Sequence, residues 1–101
     1  MQFNTDLFKQ ILNSIEYRLK FVVDGVNEAQ SFDINCSIAV DDIIASVNTN
    51  GSKYKVEDIK YCLAVLRQMD YIDIAHGTIK TIKPSGYKFL LYMLHGIDCR
   101  Y

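Results

Sequence analysis

Residues 55–83 read KVEDIKYCLAVLRQMDYIDIAHGTIKTIK, and the fold turns on this stretch. Its first half repeats apolar side chains at helical spacing. Val56, Ile59, Leu63 and Leu66 fall at i, i+3, i+7 and i+10, with Cys62 beside them. Glu57 and Asp58 stand where the positive end of a helix dipole favours carboxylates. The period then changes. Tyr71-Ile72-Asp73-Ile74-Ala75 alternates apolar and polar, the pattern of a half-buried strand. His76-Gly77 supplies a turn, and Thr78 to Lys83 the antiparallel return. A helix that ends near Met69-Asp70 therefore feeds directly into a hairpin.

Downstream, Pro84-Ser85-Gly86 opens a last helix, Tyr87 to about His95, which Gly96 ends. Upstream, Ser37 to Asn48 reads as a helix. Asp41 and Asp42 lie in its first turn, and Ile38, Ile43, Ile44 and Val47 face inward. Asn48 to Ser52 is a turn. A first helix, capped by Asn4 or Thr5, carries Leu7, Phe8, Ile11, Leu12, Ile15 and Leu19 on one wide stripe. Residues 19–36 admit two readings. One is a hairpin about Asp24-Gly25 that Val26 to Ile34 completes; the other is a longer first helix stopped by Gly25. The expected core holds Leu7, Ile11, Ile15, Ile43, Val47, Ile59, Leu63, Leu66, Ile72 and Leu90. The chain thus reads as one domain over residues 1–101, mainly α with a small antiparallel β element.

Composition narrows the function classes. Half of the 101 residues are apolar or aromatic and 23% are charged, so a packed core forms and disorder is not expected. The net charge of −1 hides an asymmetry. Residues 1–50 carry three basic and seven acidic side chains, whereas residues 51–101 carry eight basic and five acidic. Any anion-binding surface belongs to the C-terminal half. Three cysteines, Cys36, Cys62 and Cys99, with no C-x-x-C pair, argue for a reducing, cytoplasmic compartment. Met1 to Asp6 lacks the basic start of a signal peptide, and no apolar run approaches the roughly 20 residues of a membrane span.

The run from Lys55 to Leu66, followed by Met69-Asp70-Tyr71-Ile72, resembles the third helix of winged-helix proteins. The run from Ile82 to Leu90 resembles the segment leading from their wing into their last helix. Through these stretches the chain is similar, over residues 37–95, to small winged helix-turn-helix proteins of bacteria and phages. The resemblance implies a winged-helix fold with a wing at 71–83 and a C-terminal helix at 85–95. It also implies DNA binding in transcription regulation, the third helix entering the major groove and the wing touching the backbone. The matching positions are Lys53, Lys55, Lys60, Tyr61 and Arg67 on or before the helix, and His76, Lys80 and Lys83 on the wing. Residues 19–36 depart from the simplest form of the pattern, as an insertion would.

Helical geometry weighs against part of this. With Ile59 at the centre of the buried face, Glu57, Tyr61, Ala64 and Gln68 point nearly the opposite way, and Lys60 and Arg67 lie on a flank. A base-reading helix wants Arg, Lys, Asn or Gln on that crest. An ordinary solvated face accounts for the same charges. The last helix carries one stripe of Tyr87, Leu90, Leu91 and Leu94 and a second of Phe89, Tyr92 and Met93. Two apolar sides suit a protein interface, a homodimer through this helix or a host-protein contact. Two readings follow: a dimeric DNA-binding regulator, or a protein-binding module such as a phage or mobile-element inhibitor or adaptor.

Nothing in the sequence assembles a catalytic site. Asp41-Asp42 and Glu57-Asp58 are adjacent on helices and diverge by about 100°, so neither pair shares a cleft. His95 and Cys99 are two potential metal ligands where structural zinc takes four. Cys62 sits beside a core stripe, as a packing residue does. No phosphate loop, dinucleotide fingerprint or triad signature occurs. The expectation is a binding protein, not an enzyme, with no metal, cofactor or small-molecule substrate.

Overall fold

The computed structural model of the protein describes residues 5–19, 33–49 and 54–96. In chain order these form α1 (Thr5–Arg18), β1 (Ile34–Ala39), α2 (Val40–Val47), α3 (Val56–Gln68), β2 (Ile72–Ala75), β3 (Thr78–Ile82) and α4 (Pro84–His95). The strands make one antiparallel sheet in the order β1-β3-β2. The four helices pack on one another and on the sheet, around a single core. No helix among the described residues is long and apolar enough to cross a membrane.

The predicted stripes are the core. Leu7, Phe8, Ile11, Leu12 and Ile15 of α1 meet Ile43 of α2, Ile59, Cys62, Leu63 and Leu66 of α3, and Leu90 of α4. Of the expected core residues only Val47 is half-buried. Each fully buried Leu or Ile contributes about 1.5–3 kcal/mol of apolar burial. The predicted hairpin is also present. Ala75 pairs with Thr78, so the connection is His76-Gly77 alone. Both residues hold a positive φ, 54° and 70°, as a two-residue type I′ turn requires.

Two expectations need correction. The helix expected from Ser37 begins at Val40, because Ile34–Ala39 is a strand. Asn35, Cys36 and Ser37 are weak helix formers. The strand instead seats Ile34 opposite Ile82 and Ile38 opposite Ile79, and all four side chains are buried. The ribbon expected to have two strands is therefore a three-stranded sheet with β3 in the middle. The central strand also departs from regular alternation. Ile79 and Ile82, three apart, would face opposite sides of a regular strand. Lys80 is the extra residue against β2 and faces both Cys36 and Ser37 of β1, and this irregularity turns both isoleucines into the core. Residues 20–32, which hold most of the proposed hairpin insertion, lie outside the described residues.

The ends of α3 and α4 are tied together around Tyr71. Asp70 takes a left-handed φ of 61°, Asp70 N–H donates to the Arg67 carbonyl, and Tyr71 N–H donates to the Leu66 carbonyl. These two hydrogen bonds close α3 as a Schellman motif with aspartate in the usual glycine position. The Tyr71 carbonyl accepts the Lys83 N–H at 2.9 Å. Gly86 packs against the same carbonyl so closely that a β-carbon there would sit 2.0 Å from the oxygen. Gly86→Ala should therefore destabilise the domain by about 3 kcal/mol, the upper range for overpacking. Urea unfolding followed by circular dichroism measures it, and a loss below about 1 kcal/mol would show that α4 moves freely against the hairpin.

Candidate functional site

The flank of α3 that carries Lys60 and Arg67 faces the hairpin. The two side chains are seven residues apart, two helical turns, and so share one side of the helix. Together with Ala64 and Gln68 they form one wall of an open groove of about 670 Å³. Ile74, His76 and Gly77 form the opposite wall, and Val40 and Asp41 close one end. The closure is built by the backbone. Val40 N–H donates to the Gly77 carbonyl at 2.9 Å, so the start of α2 is pinned to the hairpin turn. Three residues chosen from the sequence, Lys60, Arg67 and His76, thus come together.

The other candidates are spread more widely. Lys55 is exposed immediately before α3, and Lys80 is exposed at the bulge of β3. Tyr61 lies outside the groove and is 41% exposed. Lys83 sits at the far end of β3 from the turn, where its ammonium pairs with Asp33 at 3.6 Å. Lys53 is outside the described residues. Lys55, Lys60, Arg67 and Lys80 make no salt bridge among the described residues. The crest of α3 is as the geometry predicted: Glu57, Tyr61, Ala64 and Gln68 are all exposed.

The second apolar stripe of α4 is largely used within the domain. Phe89 stacks on Tyr71 with ring centroids 4.8 Å apart, and Met93 packs half-buried against the core. Tyr92 alone remains well exposed, at 59%. The seam between α1 and α4 is closed by His95, whose Nε2 lies 2.7 Å from a Glu16 carboxylate oxygen. Sequence reasoning missed Val40, Asp41 and Ile74 as groove residues. Their place depends on β1 pairing with β3, which no local pattern announces.

The described thiols are poor nucleophiles. Burial, and next the charge of Asp58, push the Cys62 thiol up to about 11, and burial also raises Cys36, whose Sγ donates to the Ile79 carbonyl at 3.5 Å. Among the described residues no three His, Cys, Asp or Glu side chains gather as a metal site would need; Cys99 is outside them. Comparison with known proteins finds no matching family model and no significantly similar curated protein or solved structure.

The thiolate is the reactive form, so Cys62 should stay unmodified by iodoacetamide at pH 8 in the folded protein and react fully in urea. Because the folded-state value is raised, folding keeps the proton on. The stabilisation is full below about pH 9 and is lost as pH climbs toward 11. Peptide mapping by mass spectrometry reads the modification; rapid labelling of Cys62 in the native state would contradict its burial.

Proposed function

We propose that this chain is a winged-helix protein that binds duplex DNA without catalysing a reaction, as a transcriptional regulator would. The observation that carries the reading is the meeting of Lys60, Arg67 and His76 in one groove between a helix and a hairpin. The arrangement supports it in three ways. The pair α2 and α3, followed at once by a hairpin and a last helix, has the order that the sequence resemblance implies. The groove is open, so a phosphate backbone can lie along it. Among the described residues its cations make no salt bridge that a phosphate would have to displace. On this reading α3 approaches the major groove and the hairpin turn at His76-Gly77 contacts the backbone.

A second reading has its own support. The groove also presents Ile74, Val40 and Ala64, Asp41 adds a negative charge, and Tyr92 stands exposed on α4. Such a surface suits a protein partner, including a second copy of the chain, and a phage or mobile-element adaptor would act in this way.

Fluorescence anisotropy with a labelled duplex at low salt separates the two. Binding in the micromolar range is expected, with Lys60→Glu and Arg67→Glu together weakening it at least about 30-fold. Lys9→Glu on α1, outside the groove, should leave it within about twofold. Absence of binding, or equal binding by the double variant, would remove the DNA reading and leave the protein-partner reading in place.

A further inference from the structure

The crest and the flank of α3 differ in chemistry, and the difference bears on what kind of DNA the groove takes. The crest is the part of a helix that reaches base edges. Here it consists of Glu57, Tyr61, Ala64 and Gln68, all exposed. Glu57 can accept a hydrogen bond from cytosine N4 or adenine N6 but is repelled by the flanking phosphates, Ala64 offers a methyl group, and Gln68 is the single amide. The N-terminal turn of a reading helix commonly leads into the groove. In α3 that turn holds Glu57 and Asp58, which repel phosphates and resist deep insertion. The cations lie to one side of it, along the groove wall that Ala64 and Gln68 also line. Lys60 and Arg67 are on the wall that faces the hairpin, and Lys55 lies at the helix start.

Resting on the duplex-binding part of the reading above, and in place of an operator-reading regulator, we infer that this protein grips duplex DNA by its phosphate backbone and reads no operator sequence. Lys60 and Arg67 hold phosphates from the helix side of the groove, and the hairpin turn at His76-Gly77 closes on the same strand from the other. Gln68 adds discrimination at one base pair at most. Contacts to phosphate fix position and register but carry no sequence information. Binding of this kind releases counterions in proportion to the phosphates contacted.

The experiment measures affinity for a random duplex pool, and for the best sequence enriched from it, across a salt series. Three or four phosphate contacts set a slope of log affinity against log salt of about −3, a loss of roughly 60-fold between 50 and 200 mM salt. The enriched sequence should bind within about tenfold of the pool, and Lys60→Gln should flatten the slope by about one on both. A sequence preferred more than about a hundredfold over the pool, with Lys60→Gln changing that preference, would overturn the inference while leaving DNA binding intact. No binding to any duplex at low salt would overturn both, and the two failures are therefore told apart.

Discussion

The fold depends on the bulge at Lys80. A regular β3 would send Ile79 and Ile82 to opposite faces of the sheet, and one of them would leave the core. With the irregularity at Lys80, both are buried, and each meets an isoleucine of β1 directly across the ladder. The central strand then holds β1 on one edge and β2 on the other. Pairing with β1 delivers the start of α2 to the hairpin turn, where Val40 bonds the Gly77 carbonyl. Pairing with β2 sets the hairpin against α3. The groove exists because both pairings hold at once.

That geometry changes the meaning of a near-neutral charge. A chain of net charge −1 has no overall attraction for a polyanion. The fold instead separates its charges. Asp33 pairs with Lys83 at the base of β3, while Lys60 and Arg67 face the groove with Asp41 the one carboxylate among its described lining residues. Local field, not total charge, decides whether a phosphate is held. On the proposed reading, the attraction is modest and salt-sensitive.

The helices and the hairpin were legible because each carries its own period. Ile59, Leu63 and Leu66 mark α3, Leu7, Ile11 and Ile15 mark α1, and His76-Gly77 marks the turn. The stop of α4 at Gly96 was equally plain. The first strand was not, because Ile34 and Ile38 are four apart and fit a helix as well as a regular strand. Their partners, Ile82 and Ile79, lie more than forty residues away. The same distance hid part of the site. Lys60 and Arg67 were found as charges on a helix flank, but which flank faces the hairpin is a tertiary fact. Phe89 and Met93 fall on an outer stripe by sequence, and their partners, Tyr71 and the core, come from other elements.

Mapping backbone amide shifts of the labelled protein during titration with a short random-sequence duplex tests the account most directly. Shifts concentrated at Lys60, Ala64, Arg67, Gln68, His76 and Gly77, with Tyr17 of α1 and Tyr92 of α4 unmoved, are the predicted result. Shifts confined to α1 and α4, or none at all, would contradict it.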